Sequence, residues 1–292
     1  MTTTQPSAPA LPLVPSDEEA RIRETVAAIC GRYGPEYSRR KREAGEPATE
    51  LWDELASRGY LGVNIPEEYD GGGLGMSALA AVGEEITAAG TGLLLIVVSP
   101  AIVGSILVRH GTPEQKERWL RGIGTGTTKV AFAITEPDAG SNSHNISTAA
   151  TRTDRGYALR GQKTFISGIE EADAILVVAR MREPDGSLGL PVIALVDTDA
   201  PGLEAQEVET VASSSDKQWL LFFDDVEIER DRLVGGETAG LKAVFDGLNP
   251  ERIMGAAVCI GGARRALQLA ADYARERTVW KTPIGASPSC RC

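Results

Sequence analysis

The spacing of apolar residues changes twice along this chain of 292 residues. From residue 16 to about 125, apolar side chains recur at helical intervals, as at Ile22, Val26 and Ile29. From about 130 to 226, short apolar runs alternate with turn sequences such as Asp154-Arg155-Gly156, a pattern typical of a mainly antiparallel barrel or sandwich. Helical spacing returns from about 238. This order predicts a multidomain α+β protein.

Local signals refine the helical parts. Ser16 is a suitable N-cap for a helix that starts at Asp17. The run Leu93–Val108 is apolar over 16 residues, whereas a membrane span needs about 20. A buried helix interrupted at Ser99-Pro100 is therefore favoured, and no membrane span is expected.

The last helical segment is predicted to begin at Asn249, because a capping asparagine followed by Pro250 at the first helical position is a common helix start. Beyond this start, seven apolar residues form one stripe at helical spacing: Ile253, Ala256, Ile260, Ala263, Leu267, Ala270 and Ala274.

Composition argues against several classes of function. The formal net charge is −11 and the basic residues are scattered, which disfavours nucleic acid as a partner. The two histidines are too few for a histidine-rich metal site or a histidine-based triad. The four cysteines form no C-x-x-C pair, so no zinc site or disulfide framework is predicted. Proton transfer would fall to a carboxylate.

Residues 1–15 lack a basic segment followed by an apolar core, so we interpret them as a disordered leader and expect a cytoplasmic protein. The glycine-rich segments 70–75 and 122–129 lack the spacing of nucleotide-binding loops. More informative is the segment 131–145, AFAITEPDAGSNSHN, which starts as a strand and turns polar after Thr135. Such a loop either only turns the chain or presents N–H groups and hydroxyls to a ligand.

Three stretches in this order resemble the acyl-CoA dehydrogenase family: FAITEPDAGSN at 132–142, KTFISG at 163–168, and NPERIMGAAVCIGGARRALQLAADYARERTVW at 249–280. The resemblance covers about residues 17 to 285. It implies FAD as cofactor and the α,β-dehydrogenation of an acyl-CoA thioester to the trans-2-enoyl-CoA, as in fatty-acid β-oxidation. A glutamate would remove the α-proton while flavin N5 accepts the β-hydride.

The resemblance also implies a domain layout. An N-terminal α-helical domain would span 16–129, a middle antiparallel β-barrel domain 130–235, and the start of a C-terminal helical bundle 236–292. After KTPIGA only SPSCRC follows, which does not resemble the family's continuation. We therefore expect a frameshift or truncated gene product whose apolar stripe lacks the partner helices that would bury it.

Within the resemblance, Thr135 would hydrogen-bond the flavin ring, and Gly140 and Ser141 would lie by the FAD pyrophosphate and the CoA arm. Phe165 would pack on the flavin and Ser167 would hydrogen-bond it, whereas Gly168 stands where the family commonly has asparagine. The implied cofactor-binding set is Phe132, Ile134, Thr135, Gly140, Ser141, Phe165, Ser167, Arg277 and Trp280. Taken singly, a threonine in a strand or an apolar phenylalanine is more often structural.

The resemblance assigns the catalytic base to Glu251. The alternative is that Glu251 only stabilises the first turn of a helix through the helix dipole. Leu248, Asn249 and Arg252 match positions near the substrate, although Arg252 could instead form a helix salt bridge. Together with Ser141, these three make up the implied substrate-binding set.

The implied partners are an acyl-CoA substrate and an electron-transferring flavoprotein as electron acceptor. An oxidase that passes electrons to oxygen, or an impaired fragment or subunit of a hetero-oligomer, are the alternatives. Arg277 and Trp280 match positions that reach the FAD of a neighbouring subunit, which implies a homodimer or homotetramer. Arginine suits such a role because its planar guanidinium pairs with phosphate oxygens.

Overall fold

The computed structural model describes residues 14–211, 217–238 and 240–286. The leader predicted over 1–15 and the final SPSCRC fall almost entirely outside these ranges. In these ranges, five α-helices precede the sheet: α1 Asp17–Ala44, α2 Thr49–Ser57, α3 Gly75–Ala88, α4 Ser105–His110 and α5 Pro113–Thr125. Ser16 caps α1 as predicted, because its hydroxyl accepts a hydrogen bond from Glu19 N at 3.2 Å.

The apolar run Leu93–Val108 is helical from Leu95 onward and largely buried, as predicted. The interruption takes the form of a π-helical segment, Val97–Gly104, with Pro100 inside it. A wider turn accommodates a proline that has no N–H to donate, and Asn64 Nδ2 donates to the Pro100 carbonyl at 2.8 Å. Within the described ranges, no helix is long and apolar enough to cross a membrane.

The middle part forms one eight-stranded sheet. Its strands are β1 Val130–Ala133, β2 Ala149–Arg152, β3 Gly156–Ser167, β4 Ala174–Arg182, β5 Leu188–Asp197, β6 Leu203–Val208, β7 Gln218–Glu229 and β8 Leu233–Val234. The strand order is β6-β7-β3-β2-β4-β5-β8, and β1 pairs with β4 beside this path. Most pairings are antiparallel, as predicted, but β1 and β2 each run parallel to β4.

The predicted start of the last helix at Asn249 is wrong. Helix α6 runs without interruption over Gly240–Glu276, and Pro250 lies inside it. Pro250 cannot donate to the carbonyl four residues earlier, yet the preceding turns remain helical because they pack on the core. A Cβ added at Gly247 would lie 2.6 Å from Ile106 Cδ1, so α6 packs closely on α4 and a larger residue there would require the Ile106 side chain to move.

The two faces of α6 differ. Met254, Ala257 and Gly261 are buried, and a Cβ at Gly261 would lie 2.2 Å from the carbonyl oxygen of Glu84 in α3. The apolar stripe found in the sequence lies on the other face, where Ile260 is 52% exposed and Leu267 72% exposed. The order helical, β, helical is confirmed.

Candidate active site

Strand β1 leads into the candidate site. Phe132 and Ile134 are partly buried and pack against the core that the π-helical segment, α4, α5 and the start of α6 share with the sheet, and Leu248 of α6 packs against the same core. Three residues that the resemblance assigns to cofactor and substrate therefore lie around one apolar cluster. Asn249 and Glu251 follow directly on α6.

The chain makes a tight turn after Thr135. Glu136 N donates to Ala139 O and Ala139 N donates to Glu136 O, both at 3.1 Å. The turn leaves Gly140 and Ser141 exposed, and a Cβ added at Gly140 would meet nothing within 4 Å. The backbone at this position is open to an incoming group.

A buried ion pair lies beneath this turn. Lys163 Nζ is 2.8 Å from Glu136 Oε1, and the two side chains are 0% and 3% exposed. Burial lowers the pKa of Lys163 to about 8, against the opposing effect of the Glu136 carboxylate. For Glu136, burial alone would raise the pKa, but the charge of Lys163 and several hydrogen bonds lower it to about 2. Both groups are therefore charged at neutral pH.

Neither residue of this pair was singled out in the sequence. The two positions are separated by 26 residues of chain, and no local spacing links them. The available signal was the lysine itself, since a lysine directly before buried Thr164 and Ile166 in a sheet strand needs a partner.

Phe165 stands out from β3. The strand pairs Lys163 with Leu221 and Ile166 with Trp219, so β3 carries one residue more than β7 there and forms a bulge. Phe165 occupies the bulge with φ of 57° and is 60% exposed. An exposed aromatic residue in a left-handed conformation is rare and marks a position that the surrounding structure enforces.

A main-chain hydrogen bond joins the bulge to the turn. Thr164 N donates to Thr135 O at 2.9 Å, so Phe165 lies immediately beside Thr135. Two residues on, the Ser167 hydroxyl accepts a hydrogen bond from Gln218 Nε2 at 2.8 Å. The structure therefore joins the turn at Thr135 to the C-terminal end of β3, which carries Phe165 and Ser167.

Glu251 lies well inside α6, so the interpretation of a first-turn glutamate stabilised by the helix dipole is wrong. The residue is exposed, but the surrounding protein displaces enough water to raise the pKa of Glu251, against the opposing charge of Arg252. The Arg252 guanidinium turns to its own helix instead, where it donates to Asn249 Oδ1 at 2.8 Å and lies 5.9 Å from the centre of the Phe245 ring.

An apolar cavity of about 170 Å³ adjoins this face of α6. Glu251, Gly255 and Val258 share one side of the helix, because residues four and seven apart face the same way, and Val258 lines the cavity. A Cβ at Gly255 would meet nothing within 4 Å, so the helix face between Glu251 and Val258 is open. The lining consists of Gly83, Ile86, Thr87, Gly92, Leu93, Leu94, Ile96, Val97 and Val258.

Arg277 and Trp280 do not join this site. They follow the end of α6, where β9 Thr278–Val279 and β10 Thr282–Pro283 form a hairpin with Trp280 at its tip, 94% exposed. At a rise of about 1.5 Å per residue, α6 separates Leu248 from Arg277 by about 40 Å. Within one chain, α6 therefore holds these two residues far from Leu248.

Comparison with known proteins agrees with this layout. Family models match three consecutive parts of the chain: the acyl-CoA dehydrogenase N-terminal domain at residues 16–127, the middle domain at 131–226 and the C-terminal domain at 238–291. Acyl-CoA dehydrogenase FadE12 of Mycobacterium tuberculosis (strain ATCC 25618 / H37Rv) is 50% identical over 273 residues, which cover 94% of this chain and 70% of the relative.

Two solved structures extend the comparison. A glutaryl-coenzyme A dehydrogenase in complex with glutaryl-CoA superposes with a TM-score of 0.90 and 26% identity, covering 96% of this chain and 72% of that one. A glutaryl-CoA dehydrogenase from Mycobacterium smegmatis in complex with FADH2 superposes with a TM-score of 0.86 and 25% identity, covering 94% and 70%. By the family models, the sequence identity and the fold, this chain belongs to the acyl-CoA dehydrogenase family of flavin-dependent oxidoreductases.

Proposed function

We propose that this protein uses FAD to dehydrogenate an acyl-CoA thioester between its α and β carbons. The observation that carries the proposal is the hydrogen bond from Thr164 N to Thr135 O at 2.9 Å. It joins the two segments to which the family resemblance assigns contacts with one flavin ring. The proposal also includes an N-terminal helical domain at residues 16–129, a middle β domain at 130–235 and the start of a C-terminal helical domain at 236–292.

The chain's own geometry fits the cofactor. Phe165 offers an exposed aromatic face, on which a planar ring system can stack. The Thr135 and Ser167 side chains are only half-buried beside it, and Gly140 and Ser141 give open backbone for a phosphate group. Phe132 and Ile134 would support the ring from β1. FAD, when bound there, would supply the acceptor for the hydride from the β carbon.

Glu251 would remove the α-proton in this scheme. The raised pKa of Glu251 supports the role, because a general base works best with a pKa near the working pH. An apolar acyl chain bound beside it would displace more water and raise that pKa further. Leu248 and Asn249 would lie near the substrate, Arg252 would support Glu251 and the end that carries CoA, and Ser141 would lie by the CoA arm.

The cavity beside Val258 would take the far end of the acyl chain. Its lining residues are apolar or uncharged, and a buried carboxylate without a cation beside it is strongly unfavourable. We therefore propose an uncharged acyl group rather than one that ends in a carboxylate. A glutaryl thioester, the ligand of one related structure, ends in a carboxylate and serves as the comparison substrate.

Electron-transferring flavoprotein is the acceptor that the family resemblance suggests, and oxygen is the alternative. The exposed Arg277 and Trp280 support a homo-oligomer in which each would complete a neighbouring subunit's site. The cytoplasm is the expected compartment. The proposals on the electron acceptor and the oligomer rest on the resemblance and on the separation of the hairpin from Leu248.

One experiment tests the function directly. The purified chain is mixed anaerobically with a panel of saturated acyl-CoAs and glutaryl-CoA, and its visible spectrum is followed. We expect a flavin spectrum that bleaches with uncharged acyl-CoAs and not with glutaryl-CoA. A colourless protein that takes up no added FAD would refute the proposal for this chain. Oxygen uptake during turnover would favour the oxidase alternative over transfer to electron-transferring flavoprotein.

A further inference from the structure

The buried pair Lys163 and Glu136 belongs to both segments of the proposed flavin site, yet neither residue is among its proposed contacts. Glu136 Oε1 accepts from Lys163 Nζ at 2.8 Å and from Thr148 N at 3.0 Å. Glu136 Oε2 accepts from the main-chain N and the hydroxyl of Ser147, both at 2.7 Å. Lys163 Nζ also donates to Ile134 O at 2.9 Å.

These bonds fix three separate pieces of backbone to one another: the end of β1 at Ile134, the chain before β2 at Ser147 and Thr148, and β3 at Lys163. A buried ion pair of this kind contributes little net stability, because removing both charges from water offsets most of their attraction. Apolar side chains of similar volume would hold a core at least as well. The charged groups differ from apolar side chains in that their hydrogen bonds allow only one arrangement of the three pieces of backbone.

The arrangement matters most at Phe165. Its left-handed backbone is energetically disfavoured and persists only where neighbouring bonds enforce it. On one side of Phe165, Lys163 is held by Glu136 and Ile134. On the other side, Ile166 returns to the ladder with β7. The turn at Thr135 is held by the same pair, through Ile134 O and through the side chain of Glu136.

We infer that Lys163 and Glu136 are positioning residues that set the placement of Phe165 relative to Thr135 and thereby preorganise the flavin site without touching the ligand. This inference rests on the proposed function for its ligand. Its geometric part, that the pair holds the two segments together, is independent of any cofactor.

The test compares Lys163→Met, Glu136→Gln and the double variant with a control ion pair at the other end of β1. Lys129 Nζ lies 2.5 Å from Glu171 Oε2, with 13% and 12% of the side chains exposed, and Lys129 precedes β1 whereas Thr135 follows it. Lys129→Met/Glu171→Gln therefore removes a similar pair at the opposite end of β1. For each protein, amide hydrogen exchange is measured without cofactor, and the dissociation constant of FAD is measured by titration.

We expect each single variant to be strongly destabilised, because it leaves an unpaired buried charge, and the double variant to recover most of that stability. In the double variant, the Thr164, Ser147 and Thr148 amides should still exchange at least tenfold faster than in the wild type. FAD should bind to the double variant at least tenfold more weakly than to the wild type. The control pair should change neither quantity. If the pair only stabilised the fold, the exchange rates and the FAD dissociation constant would change in proportion to the free energy of unfolding of each variant.

The inference would be overturned if the Thr164 amide of the double variant exchanged at the wild-type rate. It would also be overturned if that amide exchanged faster but the double variant bound FAD as tightly as the wild type does. Uptake of no FAD by the wild-type chain would count against the proposed function instead. The hydrogen-exchange comparison would then still decide whether the pair holds the two segments together.

Discussion

Thr164 donates its main-chain N–H to the carbonyl of Thr135 across 2.9 Å, and Phe165 follows directly in a left-handed conformation. The bond positions the backbone next to Phe165 beside the turn that follows β1. It also means that the backbone of Phe165 is set by its neighbours and not by its own preference. Backbone conformation and ring contact can therefore be separated by substitution.

We expect Phe165→Gly to be more stable than Phe165→Ala by about 1–2 kcal/mol, because only glycine adopts the left-handed conformation without penalty. Both variants should bind FAD more weakly than the wild type, since both remove the ring. Urea unfolding and FAD titration measure the two effects. Equal stability of the two variants would show that the bulge relaxes once the ring is gone.

Glu251→Gln should lower the rate of dehydrogenation by about 100-fold or more, which is the usual contribution of a general base. FAD binding should be retained, because Glu251 lies on α6 and not at the turn or the bulge. Flavin bleaching by acyl-CoA under single-turnover conditions measures the rate, and Glu276→Gln at the far end of α6 is the control. Near-normal bleaching by the Glu251 variant would remove Glu251 from the mechanism.

The pH dependence of the same reaction has a defined sign. Desolvation raises the pKa of Glu251, and a base acts only when it is deprotonated. The rate should therefore rise as the pH increases through that raised pKa and then level off. In Glu251→Gln the residual rate should not show this rise. A wild-type rate that falls over the same range would contradict the assignment.

The order of helices and strands followed from the spacing of apolar residues, because helix and strand faces that meet a core repeat at different intervals. The cap at Ser16 and the buried helix at Leu93–Val108 were predictable for local reasons. Strand β6 was not predicted, because its sequence LEAQEV is mostly polar and mostly exposed at the sheet edge. Its pairing with β7 comes from main-chain bonds that no side-chain pattern reports.

The two larger gaps have tertiary causes. Pro250 looks like a helix start, but α6 continues through it because the preceding turns are buried against the core at Ala243, Val244 and Gly247. The Lys163–Glu136 pair and the cavity beside Val258 depend on segments far apart in the chain. The resemblance supplied the list of site residues, and the structure added which of them meet in one chain and which, like Trp280, do not.

The cavity offers a substitution that adds volume without strain. A Cβ at Gly92 would meet nothing within 4 Å and its backbone is not left-handed, so a side chain there would extend into open space that Gly92 lines. We expect Gly92→Val to lower kcat/KM for longer acyl-CoAs by about 10-fold or more, in keeping with the 1–3 kcal/mol typical of methyl-scale discrimination. The shortest substrates should be little affected.

Gly31→Val, at an open position on α1, is the control for a glycine-to-valine change on a helix away from the cavity. Melting temperature shows whether either variant is merely unstable. A uniform loss of kcat/KM across all chain lengths would mean that the cavity does not receive the acyl chain.

Stability at low pH should report the Glu136 carboxylate. Its pKa is about 2 in the folded protein against an ordinary value of 4.5. A group whose folded pKa is lowered stabilises the protein above its unfolded pKa and loses that contribution as the pH falls towards its folded pKa. At about 1.36 kcal/mol per pKa unit, the loss between pH 4.5 and 2 is about 3 kcal/mol.

We therefore expect Glu136→Gln to be destabilised by about 3–5 kcal/mol at pH 7, where Lys163 is left buried without a partner, and by clearly less at pH 3. Urea unfolding at the two pH values measures the difference between wild type and variant. Glu117→Gln, which removes an exposed partner of Arg121, should cost less than about 1 kcal/mol at pH 7. A wild-type advantage over Glu136→Gln that stays the same at pH 3 would mean that the carboxylate is not held by the buried charge of Lys163.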